Sequence, residues 1–168
     1  MILRDEIVIL ERSRLILAGL LLVSGSAAAM VSFTCTVSAT GITFGLYNPL
    51  NPSATTATGS WSVTCNASGS GSATVAGTLS LSTGGSGTYS SRRMTSGINK
   101  LQYNIYLTPA YQQVLGDGTG GTYAPSDSGT VTAGQAYQVS GSMYGLLPAL
   151  QDVAPGSYTD FLVVTVAY

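Results

Sequence analysis

Histidine is absent from the 168 residues, and charge is scarce: Lys and Arg total 6, Asp and Glu total 7. After residue 29 there is no glutamate, and the acids are Asp117, Asp127, Asp152 and Asp160 alone. The usual parts of general acid–base catalysis are therefore missing. Serines and threonines are plentiful but have no base to activate them. A serine paired with Lys100, or a glycosidase pair of Asp117 and Asp127, is as near as the chain comes to a catalytic set. In a glycine-rich loop such aspartates read first as turn residues. We expect no enzyme, no metal and no cofactor.

Past residue 29 the cations are Arg92, Arg93 and Lys100. They form no basic patch for nucleic acid and no polybasic segment for a membrane surface. Arg92 and Arg93 read as an exposed pair beside a turn. Long hydrophobic runs are missing too. Leu15-Ile16-Leu17-Ala18-Gly19-Leu20-Leu21-Leu22-Val23 would span roughly 14 Å as a helix, about half of a ~30 Å hydrocarbon core. No membrane-spanning helix is expected from it.

That run instead reads as an export signal. Arg12 and Arg14 precede it, and the small residues Ala27-Ala28-Ala29 follow, which places cleavage after Ala29. Residues 1–29 are then a signal peptide and 30–168 one exported domain. The leader carrying Arg4, Asp5, Glu6 and Glu11 is long and mixed in charge for such a signal. Cys35 and Cys65 are the only cysteines, an even count in a chain bound for an oxidising compartment. A disulfide is the expected outcome, two buried free thiols the alternative.

What is present is a period of two. Phe33, Cys35 and Val37 alternate with hydroxyl residues, then Ile42 and Phe44 continue. Trp61, Val63 and Cys65 share a face, as do Val75, Gly77, Leu79 and Leu81. Leu101, Tyr103, Ile105 and Leu107 alternate with polar partners or Tyr106, and Tyr137, Val139 and Met143 repeat the pattern more loosely. Turn clusters such as Asn48-Pro49-Leu50-Asn51-Pro52, Gly69-Ser70-Gly71 and Gly116-Asp117-Gly118 separate these runs. Gly116-Asp117-Gly118-Thr119-Gly120-Gly121 reads as a tight hairpin loop. It has neither the helix nor the lysine of a phosphate cradle, and a single aspartate is thin support for calcium. An all-β sandwich follows.

The last strand differs. Phe161-Leu162-Val163-Val164-Thr165-Val166-Ala167-Tyr168 is apolar on both faces, a hazard for an exported edge unless something pairs with it. An earlier segment of the same chain could cover it, or a strand from another chain could fill an open groove. The groove would be lined either by Leu162, Val164 and Val166 or by Phe161 and Val163, with Tyr168 at its end.

Cys35-Thr36-Val37-Ser38-Ala39-Thr40-Gly41-Ile42-Thr43-Phe44-Gly45-Leu46-Tyr47-Asn48-Pro49-Leu50 resembles the start of the spore coat protein U domain family, which includes Csu-type archaic chaperone–usher pilins. Val63-Thr64-Cys65, Leu79-Ser80-Leu81-Ser82-Thr83-Gly84 and an altered Arg-x-Met region at Arg93-Met94 follow in the family's order. Leu101-Gln102-Tyr103-Asn104-Ile105-Tyr106, Leu115-Gly116-Asp117-Gly118, Tyr144-Gly145-Leu146-Leu147-Pro148-Ala149 and Gly156-Ser157-Tyr158-Thr159-Asp160 continue to the terminal strand. The resemblance implies an incomplete immunoglobulin-like sandwich lacking its final strand. It implies three partners: a periplasmic chaperone that holds the open subunit, an outer-membrane usher, and a neighbouring subunit whose strand completes the fold. The implied setting is a cell-surface fimbrium serving adhesion and biofilm formation.

Two departures matter. After cleavage at Ala29 only Met30-Val31-Ser32-Phe33-Thr34 precede Cys35, a reach of about 17 Å and too short to donate a strand. That favours a tip or minor subunit. Leu115 and Leu146 stand where the family often has tryptophan and a basic residue. Tyr106, Tyr111 and Tyr123 are candidates for contact with a sugar or an apolar surface. A self-contained secreted coat protein or carbohydrate-binding sandwich is the alternative reading.

Overall fold

The computed structural model describes residues 31–168 with their side chains and the backbone of residues 4–14. The apolar run at 15–23 and the cleavage site after Ala29 lie outside the described residues. The strands are β1 (Arg4–Arg14), β2 (Ser32–Ala39), β3 (Ile42–Gly45), β4 (Thr55–Ser68), β5 (Ser72–Leu81), β6 (Arg92–Ser96), β7 (Asn99–Tyr106), β8 (Ser126–Thr132), β9 (Ala136–Leu147) and β10 (Ser157–Ala167). A single 3-10 turn, Gly84–Ser86, follows β5. The all-β expectation holds.

Hydrogen bonding runs in the order β2-β4-β9-β7-β6-β10-β1-β3, with β5 joining β10 to β8. The path folds over at β7: Asn99 to Tyr103 pair with β6, whereas Asn104 to Tyr106 pair with β9. Two layers result, and their facing side chains form one core. Val37, Cys65, Val63, Met143 and Leu147 come from one layer; Leu79, Leu101, Tyr103, Leu162 and Val164 come from the other. Strands buried on one face must alternate, and β4 does so with Gly59, Val63 and Cys65 buried.

The disulfide forms between Cys35 and Cys65, which are register partners on β2 and β4. It staples neighbouring strands of one layer rather than joining the two layers. Closing a loop of about 30 residues is worth about 3–4 kcal/mol by loop-closure entropy. Cys35→Ser with Cys65→Ser should lower the urea-unfolding free energy by that amount. A loss below about 1 kcal/mol would mean that pairing alone holds β2 on β4.

Two glycines allow close approaches, Gly145 between the layers and Gly141 beneath Trp61, its register partner within one layer. A Cβ at Gly145 would stand 2.7 Å from the Phe44 ring, and one at Gly141 would stand 2.6 Å from the Trp61 indole. Only glycine lets Phe44 press β3 down onto β9.

Residues 4–14 depart from the sequence reading, in which they are the charged leader of an export signal. Their backbone is a strand lying parallel to β10, from Arg4 opposite Ser157 to Arg14 opposite Ala167. Its other edge meets β3 in an antiparallel pairing at Asp5, Glu6 and Ile7. Ile7, Val8 and Ile9 are β-branched, the type that suits a strand. Among the described residues, two otherwise unpaired edges flank the slot that the segment enters.

Candidate functional site

Among residues 31–168, β3 and β10 are not hydrogen-bonded to each other; the backbone of β1 alone bridges them. The slot between them is the candidate site. On its β10 wall the two faces differ in burial. Leu162, Val164 and Val166 are buried, whereas Phe161 is 58% exposed. Val163 is half-buried on the outer side. Its N–H donates to Ser82 Oγ at 2.9 Å, and its carbonyl accepts the Ser82 N–H at 3.0 Å. Those groups point away from the slot, so by alternation the main-chain groups of Leu162 and Val164 face β1. The opposite wall is β3, with Ile42 and Phe44 buried.

Both ends of β10 are pinned. At one end the Tyr168 hydroxyl accepts the Cys35 N–H at 3.2 Å and donates to the Cys35 carbonyl at 3.4 Å, with the Phe33 ring 5.9 Å away. This ties β10 to the disulfide strand. At the other end Asp160 Oδ2 accepts the Tyr103 hydroxyl at 2.7 Å, and Oδ1 accepts the Gly85 and Phe161 N–H groups, each at 2.9 Å. Burial, then the bond to Asp160, pushes the Tyr103 hydroxyl far above the usual tyrosine range. It therefore serves as a fixed donor.

Beside Asp160 lies a residue that sequence reasoning misjudged. Arg92, expected to be exposed, has 0% exposure. Its guanidinium donates to the Ser82 carbonyl at 3.1 and 2.9 Å, to the Leu115 carbonyl at 2.7 Å and to Asn104 Oδ1 at 2.8 Å. Tyr89 lies over it, 5.1 Å from ring centroid to guanidinium carbon. Burial pulls its pKa below the ordinary arginine value, opposed by Tyr103, Tyr89 and Asp160. A buried cation persists because four donations meet carbonyl and amide oxygens. Arg92-Arg93-Met94 also restores an unaltered Arg-x-Met spacing, with Arg92 rather than Arg93 as its arginine, and this was the available signal.

The interior is not filled everywhere. An apolar cavity of about 180 Å³ lies near the Tyr168 end, lined by Trp61, Val63, Leu79, Val139, Val166 and Tyr168 among others. Among the described residues, Trp61 Nε1 is buried without a hydrogen-bond partner.

The aspartates go separate ways. Asp117 is held below the usual carboxylate range chiefly by the Thr119 hydroxyl and N–H, which both donate to it inside the tight glycine loop. Asp127 accepts the Tyr137 hydroxyl. The two carboxylates thus have different structural partners. Of the tyrosines, Tyr106 and Tyr111 meet edge to face at 5.5 Å, whereas Tyr123 is bridged to Leu115. Among the described residues no group of three or more potential metal ligands occurs, and no helix is long and apolar enough to cross a membrane.

A family model described as Spore Coat Protein U domain matches residues 20–165. No curated protein matches the chain.

Proposed function

This chain belongs to the Spore Coat Protein U domain family, and on that premise we propose that it is a non-catalytic subunit of an exported surface fibre, completed by a strand inserted between β3 and β10. The carrying observation is the slot: residues 31–168 leave both edges unpaired to each other, and only a backbone from before the expected cleavage site bridges them. With residues 1–29 removed, the strand has to come from another chain. A periplasmic chaperone supplies it first, an outer-membrane usher passes the subunit on, and a neighbouring subunit supplies it in the fibre. Main-chain pairing along β10 provides affinity, and the buried row of Leu162, Val164 and Val166 provides the apolar floor. The short stretch from Met30 to Thr34 suits a subunit that accepts a strand without donating one, at the tip or as a minor component. Surface attachment and biofilm formation are its contribution.

One observation favours a second reading. The segment in the slot belongs to the same chain, so a protein that retained it would be a self-contained coat sandwich. The test is material sheared from producing cells and run without boiling. The chain should migrate in detergent-resistant complexes that collapse to the single subunit on boiling. Migration as a single subunit in the unboiled sample would favour the coat protein.

A further inference from the structure

The layer that does not carry the slot has an outer face of unusual chemistry. β2, β4 and β9 contain no charged residue along their whole length. Strand register arranges their outward side chains in rows. Ser38 pairs with Ser62, and Ser62 with Ser140. In the next row Thr40 bonds to Ser60, which pairs with Ser142. These serines line a shallow depression across the three strands.

The row beyond is aromatic. Thr58 pairs with Tyr144, and Tyr144 with Tyr106. Tyr111 stands edge-on to Tyr106, its ring plane at 88°. Its backbone is left-handed, with φ of 54°, and its N–H donates to the Thr108 carbonyl at 3.1 Å. A bulky L-residue avoids that conformation unless its surroundings impose it. The loop accepts local strain to hold this ring at the edge of the hydroxyl rows. Along a strand the rows are about 6.8 Å apart, and across strands their members are about 4.8 Å apart.

We propose that this face binds a neutral polysaccharide. Pyranose rings present C–H faces that pack on tyrosine rings, which are rigid and amphipathic. Their hydroxyls both donate and accept, as serine hydroxyls do. The missing charge is the selective feature. Anionic polymers find no cation here, and cationic ones no carboxylate, so a neutral chain is the complementary partner. Because the face belongs to the other layer, it stays available whatever strand fills the slot, and the proposal does not depend on fibre assembly.

The test uses the full chain and two insoluble neutral glucans, cellulose and a β-1,3-glucan, with alginate beads and polystyrene beads alongside. Retention is expected on at least one glucan and on neither of the other two matrices. Tyr106→Ala, Tyr111→Ala and Ser62→Asp should each reduce that retention at least tenfold while the melting midpoint stays within a few degrees. Should Tyr106→Ala lower the midpoint further, Ser62→Asp carries the comparison, because it only adds a charge to the row of Ser38, Ser62 and Ser140. Failure to bind either glucan, or glucan binding untouched by all three substitutions, overturns the proposal. Equal retention on polystyrene lost by the same substitutions also overturns it, assigning the face to apolar surfaces.

Discussion

Purified without residues 1–29, the domain is expected to lose its cooperative melt and to regain it when a strand is supplied in trans. β1 pairs with β10 from Arg4 through Arg14, so its removal leaves main-chain donors and acceptors of Leu162 and Val164 facing an empty slot. In water those groups resolvate at modest cost. The larger loss lies behind them, where Leu162, Val164 and Val166, buried to within 4%, flank the opened core. At about 1.5–3 kcal/mol for each fully buried aliphatic side chain, their exposure puts as much as roughly 5–9 kcal/mol at stake. A domain's whole stability is about 5–15 kcal/mol. A peptide with the sequence of residues 4–14 should restore a sharp transition whose midpoint rises with peptide concentration. The same peptide carrying Ile7→Pro and Ile9→Pro should fail, because proline removes ladder donors. A cooperative melt of 30–168 alone, indifferent to either peptide, would mean that β3 and β10 close on each other and that no strand is needed.

How much of this was readable beforehand follows from which residues alternate. β2, β4, β5 and β7 stand out because one face is apolar and the other bears hydroxyls, as at Phe33, Cys35 and Val37. β8 was silent: it is an edge strand whose one buried residue is Val131. β6 was hidden by chemistry, since a core position there holds Arg92, and a cation reads as surface until its oxygen partners are known. In β7 the alternation stops at Tyr103-Asn104-Ile105, all three buried, because the strand crosses from one layer to the other. For β10, Phe161 and Val163 are as apolar as Leu162 and Val164, so only the packing reveals which set faces inward. The Tyr106–Tyr111 contact depends on a left-handed turn at Tyr111 that no local residue announces. Tyr144, brought beside Tyr106 by register alone, had no separate signal.

Arg92→Met should be the most destabilising single substitution in residues 31–168, by about 5 kcal/mol in urea unfolding. Methionine fills a similar volume, so a cavity is not the main cost. The cost lies chiefly in two carbonyls left behind, those of Ser82 and Leu115, whereas Asn104 Oδ1 loses one donor and keeps the Ile105 N–H. A buried polar group stripped of its partner costs roughly 1–3 kcal/mol. Arg92→Lys should fall between, because one ammonium on a flexible stem cannot reach three acceptors set around a planar fork. Arg93→Met, on the exposed side of the same strand, should change stability by less than about 0.5 kcal/mol. The network also reaches the slot. Ser82 bonds to Arg92 through its carbonyl and to Val163 through its N–H and hydroxyl, so the arginine and the slot's β10 wall are linked through a single residue. If Arg92→Met lost less than about 1 kcal/mol, water or rearranged side chains would have to satisfy those acceptors. β10 would then be held chiefly by Asp160, and Asp160→Leu should show the larger loss.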